Sequence, residues 1–135
     1  MANIVYPKPQ GLLDTKSFGF SQIVSAQGSK TIFISGQVGI DEAGKLVGKG
    51  DLRAQTEQVF KNLSAALASA SASFEDVVKM TYYVVDFSPD KREAISPVRD
   101  AHVSSENPPA STLIGVQALA VPDFLIEVEA IAVVD

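Results

Sequence analysis

The chain has 135 residues, 46% of them hydrophobic, and a formal net charge of −5 from 16 Asp and Glu against 11 Lys and Arg. That length predicts one domain, residues 1–135, with a continuous core, and the absence of cysteine excludes disulfides, thiolate metal sites and a cysteine nucleophile. A single histidine, His102, leaves no multi-histidine metal cluster, and scattered cations on an acidic chain argue against nucleic acid, whose affinity comes mostly from phosphate neutralisation.

The opening residues, MANIVYPKPQ, lack a basic region followed by a long apolar run, and no stretch approaches the roughly 18 apolar residues of a membrane span. A cytoplasmic protein with no membrane partner is expected. SFGFSQIVSAQG and KTIFISGQVGI read as two β-rich runs joined by a Gly-Ser-Lys turn, a hairpin signal. DEAGKLVGKG follows as a loop, and it is no phosphate-binding loop because no Ser or Thr follows its lysine. From Asp51 the period becomes helical: Leu52, Val59, Phe60, Leu63, Leu67 and Ala70 form a stripe, with Asp51 placed as N-cap. SFED then sets Ser73 and Asp76 at capping-box spacing. VVKMTYYVVDF is dense in β-branched and aromatic residues, which predicts a strand with both faces largely covered. Ser88 reads as the N-cap of a second helix with Pro89 at its first position; Pro97 is expected to break or restart that helix, and Pro108 and Pro109 to end it. Strands near TLIGVQAL and FLIEVEAIAVV complete a β-β-α-β-α-β-β order, which predicts an α+β fold with one mixed sheet and two helices on one face.

Strand alternation says more about that sheet. Ile32 and Ile34 point one way and Phe33 the other, while Ile126, Val128, Ala130, Ala132 and Val134 share one apolar face and Leu125, Ile131 and Val133 dominate the opposite one. Two helices cover one side only. The second apolar side is therefore expected to be buried against other copies of the chain in a closed symmetric oligomer.

Glu127 and Glu129 hang from that last strand two residues apart, so they share a face with Cα atoms roughly 6.6 to 6.8 Å apart. Among Leu125, Ile131 and Val133 a carboxylate loses water, which suits it to accept or hold a proton from water. The same spacing also fits two rim carboxylates paired with Lys or Arg. FISGQVG puts Ser35 and Gly36 at the end of a strand, where glycine permits close approach and serine offers a hydroxyl; a bulge or strand end is the alternative. Ser111 and Thr112 follow the double proline either as pocket hydroxyls or as the polar start of a strand. Ser88 is explained by capping, and His102 by a solvated helix position.

In this order and spacing, FSQIV, FISGQVGID, VVKMTYYVVDF, NPPAST and LIEVEAIAVV resemble the Rid family (YjgF, YER057c or UK114 proteins) over essentially the whole chain from Phe18. The resemblance implies a chorismate-mutase-like fold assembled as a homotrimeric barrel, with helices outside and clefts between neighbouring subunits. It implies hydrolysis of reactive imines or enamines to the keto acid and ammonia, with no cofactor and no metal. By matching motifs, Glu127 takes the position that handles the attacking water, and Ser35 and Gly36 line the cleft. Phe20 stands where the family usually has tyrosine and Ser88 where it has asparagine. Ser111 stands where deaminase members hold the substrate carboxylate with arginine. Removing the charged partner of a buried carboxylate costs about 2 to 5 kcal/mol, and a hydroxyl cannot reproduce a guanidinium fork. The expectation is a small-molecule ligand less anionic than the deaminases prefer, bound by Phe20, Ser35, Gly36, Ser88, Ser111 and Thr112 with Glu127 as catalytic residue. The alternatives are a non-catalytic metabolite-binding or regulatory trimer and, last, a ribonuclease as some relatives are labelled. Arg53, Arg92 and Arg99 all fall in helices outside the barrel and are not expected to replace the arginine.

Overall fold

Asp51 starts the longest helix as its N-cap, its carboxylate accepting from Ala54 N at 3.0 Å, and α1 runs from Leu52 to Ser69. Val59, Phe60, Leu63 and Leu67 return to one side every three or four residues and are buried. Gln55 shares that side and is fully buried, with its amide fully used. Its Nε2 donates to Gly48 O and Asp123 O at 3.1 and 2.9 Å, and its Oε1 accepts from Leu125 N at 2.9 Å. One side chain thus ties the loop before the helix to the entry of the last strand.

The computed structural model describes residues 2–135. The described residues form six strands, β1 (Asn3–Val5), β2 (Ser25–Gln27), β3 (Lys30–Gln37), β4 (Val77–Val85), β5 (Ala110–Val116) and β6 (Ile126–Val134), with α2 at Arg92–Asp100. The main sheet has four strands in the order β3-β6-β4-β5, antiparallel except for the parallel β4/β5 pair, which α2 connects. The sheet is mixed and the class α+β, as the sequence predicts. Met80, Tyr82 and Val84 of β4 and Ile126, Val128, Ala130 and Ala132 of β6 bury one face against α1 and α2. Among the described residues no helix is long and apolar enough to cross a membrane.

Four expectations are corrected. The first β-rich run does not form a hairpin with β3: only Ser25–Gln27 is a strand, and it pairs with β1 in a separate two-stranded sheet. Upstream, Lys16–Phe18 is a short 3-10 turn closed by Gly19 at φ 88°, and Ser21 is tethered elsewhere, its N donating to Pro109 O at 3.0 Å and its Oγ to Pro108 O at 2.6 Å. Those bonds hold the run beside the start of β5, overriding its β propensity. Pro97 does not break α2, because the carbonyl it leaves without a donor belongs to Glu93, which is exposed and open to water. The helix ends at Asp100, well before Pro108 and Pro109, which instead lie buried at the start of β5. Finally, β4 is covered on one face only within this chain: Val77, Met80, Tyr82 and Val84 are buried, and the alternate residues are half-buried.

Candidate functional site

The strand end FISGQ is a β-bulge. Ile34 pairs with Ala130 and Gln37 with Val128, so Ser35 and Gly36 together oppose Glu129. The bulge lays the bare backbone of Gly36 against the Glu127 side chain: a Cβ at residue 36 would stand 2.5 Å from Glu127 Cδ and overlap the carboxylate. Any side chain at residue 36 would force the carboxylate to move. Ser35 contributes its carbonyl, which accepts from Gln37 Nε2 at 3.0 Å.

The two carboxylates of β6 are used differently. Glu129 Oε1 accepts a short hydrogen bond from the Tyr83 hydroxyl. That bond, with lesser contributions from desolvation and the Glu129 and Glu127 charges, raises the Tyr83 phenol above its ordinary value. Glu127 pairs through its backbone with Tyr83 of β4, but its carboxylate makes no hydrogen bond or ion pair with any described residue. Both point from the face the helices leave uncovered. Thr112 joins them there: its partner across the ladder is Thr81, itself opposite Glu129, and its Oγ1 accepts from Lys79 Nζ at 2.7 Å.

Ser111, one residue earlier, points the other way and lines a cavity of about 830 Å³ together with Phe20, Phe87, Leu113 and Gly115. The bonds from Ser21 to the double proline, and one from Thr15 Oγ1 to Phe20 O at 2.9 Å, set Phe20 beside Ser111. The opposite wall is α2, which presents Arg92, Ile95, Ser96 and Arg99 to the cavity. These are the i, i+3, i+4 and i+7 positions of one helical face. Arg92 and Arg99 therefore do reach the space beside Ser111, contrary to the sequence expectation. The reason is that α2 crosses from β4 to β5 directly over that sheet edge, and this stripe was the readable signal. Arg53 stays away, exposed and paired with Glu57 at 3.2 Å.

Tyr82 closes the cavity floor. Its hydroxyl donates to Met80 Sδ at 3.7 Å, and burial pushes its phenol far above the ordinary range, an effect that the Arg99 charge opposes. Ser88 does not cap α2 as expected: Pro89–Lys91 after it form a 3-10 turn that leads into the helix, Ser88 gives that turn no side-chain cap bond, and its hydroxyl donates to Asp90 Oδ1 outside the cavity wall. His102 is exposed, as expected, with one side of its ring resting 5.2 Å from Phe60 and 5.4 Å from Phe74 and its Nδ1 2.9 Å from Val98 O. Apart from Ser88, the expected site residues thus fall into two groups on opposite sides of the sheet. Ser35, Gly36, Glu127 and Thr112 are on the uncovered face, and Phe20 and Ser111 are in the cavity under α2. No single cleft of one subunit unites them.

The family model described as Endoribonuclease L-PSP matches residues 15–134. A RutC family protein of Pyrococcus abyssi is 38% identical over 127 residues, covering 93% of this chain and 89% of its own. The crystal structure of the Rid-family protein YyfB of Yersinia pestis superposes with a TM-score of 0.89 at 42% identity, covering 97% of this chain and 98% of that one. A protein of Dermatophagoides farinae named 2-iminobutanoate/2-iminopropanoate deaminase is 30% identical over 116 residues, 86% of each chain. This chain belongs to the Rid family.

Proposed function

We propose that the protein is a trimer that hydrolyses a reactive imine or enamine of a small metabolite in a cleft between subunits, in the cytoplasm and without a cofactor. The observation that carries this is the contrast within the carboxylate pair: Glu129 is tied to Tyr83, while Glu127 is seated over the Gly36 backbone and free to hold a water. In the reaction, the water oxygen adds to the imine carbon as Glu127 takes its proton. Glu127 passes that proton to nitrogen to give a carbinolamine, then relays the hydroxyl proton to nitrogen as the carbonyl forms, the carbon–nitrogen bond breaks and ammonia leaves; an enamine first takes a proton at carbon and loses one from nitrogen to become the imine. The deaminase name of the relative from Dermatophagoides farinae supports the same chemistry.

Two features favour a shared cleft. Phe33 stands 76% exposed on the uncovered face, and Glu127 and Ser111 lie on opposite sides of the sheet, so a neighbour's cavity is the natural partner for Glu127. Specificity is altered, because Ser111 occupies the position where the resemblance calls for arginine. That substitution also supports a second function, a trimer that binds a metabolite without turning it over.

The test follows the decay of 2-iminopropanoate, generated in place from alanine by an amino-acid oxidase, with and without the protein. Acceleration that disappears in Glu127→Gln is the expected result. If the unmodified protein gives none and Ser111→Arg alone gives activity, this cleft serves another ligand. If Glu127→Gln leaves the rate unchanged, hydrolysis by Glu127 is abandoned.

A further inference from the structure

The lining of the large cavity has a lopsided chemistry. Two guanidiniums, Arg92 and Arg99, face it together with hydroxyls and aromatic rings, and no carboxylate is among the residues that line it. Arg99 is the inner one, with its side chain only 20% exposed. Its Nε and Nη2 donate to Asp100 Oδ1 at 3.0 and 2.9 Å, but Asp100 lies outside the lining and its side chain is 63% exposed, so solvent screens that pair. Arg99 Nη1 makes no hydrogen bond with another described residue.

A second observation concerns what packs against the guanidinium. Gly19, at φ 88°, runs its bare backbone along the Arg99 head: a Cβ there would lie 2.6 Å from Arg99 Cζ and 3.1 Å from Nε. The loop that carries Phe18 and Phe20 thus packs its backbone against this side chain. Arg92 stands further out, with its Cζ 5.7 Å from the centre of the Phe87 ring, a cation–π arrangement that holds a charge at an apolar mouth. A planar guanidinium with free donors matches a carboxylate, and the rings beside it match an apolar tail.

We infer that Arg99, assisted by Arg92, forms a carboxylate-binding site under α2, and that the ligand is a small carboxylic acid with an aromatic or branched apolar side chain. Anion recognition is then supplied by the helix, across the cavity from Ser111. This rests on placing Phe20 and Ser111 at the ligand site, as proposed above, but it does not require catalysis by Glu127. The anionic ligand replaces the less anionic one expected from Ser111 alone.

The experiment measures calorimetric binding of phenylpyruvate and of phenylacetone, which has a methyl group in place of the carboxylate, to the intact protein and to Arg99→Gln, Arg92→Gln and Asp100→Asn. The expected result is that phenylpyruvate binds more tightly than phenylacetone, and that Arg99→Gln weakens phenylpyruvate at least about tenfold while leaving phenylacetone unchanged. Arg92→Gln has a smaller effect in the same direction, and Asp100→Asn none. Equal binding of the two compounds, binding of neither, or an equal loss for both in Arg99→Gln overturns the site. Gly19→Ala is the second variant, and it should displace the guanidinium and lose the same carboxylate preference. The two readings separate cleanly: if imine decay is never accelerated yet the preference for phenylpyruvate depends on Arg99, the site stands and the hydrolase falls. If Glu127→Gln abolishes turnover while Arg99→Gln changes neither binding nor KM, the reverse holds.

Discussion

On the helix side of the sheet, Ile126, Val128, Ala130 and Ala132 of β6 are all buried, and they meet Val59, Phe60 and Leu63 of α1 in one core cluster. On the other side, the same strand offers Glu127 and Glu129 near one end, Tyr83 is bonded to Glu129, and Phe33 of the neighbouring strand is 76% exposed. The first face is finished within the chain, since its apolar residues have neighbours on every side. The second combines ionisable groups with an exposed aromatic ring, which a face meant only for water has no reason to carry. Stability is concentrated on one side of a thin sheet, and the groups able to do chemistry lie on the other side and at its β5 edge.

That contrast can be broken most severely at Glu127. Glu127→Gln is expected to slow imine hydrolysis by about 100-fold or more, the usual worth of a positioned acid or base, while leaving the thermal midpoint nearly unchanged. Gly36→Ala should also cost activity, because its methyl overlaps the Glu127 carboxylate. Recovery of its activity in a variant that keeps Glu127 in place by another route would show position to be the cause.

Two phenylalanines sharpen the difference between the faces. Phe60 is fully buried, so Phe60→Ala should cost about 3–5 kcal/mol in denaturant unfolding. Phe33→Ala should change the stability of the isolated subunit by no more than about 0.5 kcal/mol, yet Phe33→Glu should move the proposed trimer toward monomer in light scattering. A comparable loss of subunit stability at both positions would mean that the second face is also core. Smaller still, Asp51→Ala removes the cap of α1 and should cost about 1 kcal/mol.

The smallest effect is in alkaline titration. All three tyrosines are raised above the ordinary phenol value: Tyr6 and Tyr82 mainly by burial and Tyr83 by its bond to Glu129. Absorbance should therefore show no phenol ionising at the usual pH in the folded protein. Because the folded values lie above the unfolded one, this contribution to stability is complete below about pH 10 and declines as pH rises further. Tyr83→Phe should flatten part of that decline. A normal phenol ionisation in the native state would remove the Tyr83–Glu129 bond from the description.

The α1 stripe, its Asp51 cap, the mixed α+β class and the two faces of β6 were all readable in the sequence, because each depends on period and capping within a few residues. The clustering of Ser35 and Gly36 was readable too, but not the reason for it: the bulge that lays Gly36 against Glu127 depends on register with β6, which lies far away in the chain. The N-terminal run was misread as a hairpin because its backbone is held by Pro108 and Pro109, contacts that span 87 residues. The sequence determined which residues carry charge, hydroxyl and glycine freedom, and which family they define. Only the tertiary structure decided that Thr112 and Ser111 part to opposite faces, that Glu129 is occupied and Glu127 free, and that Arg92 and Arg99 share a cavity with Ser111. Side chains meet across strands and helices through packing and register, and those distances are not written in the local period of the chain.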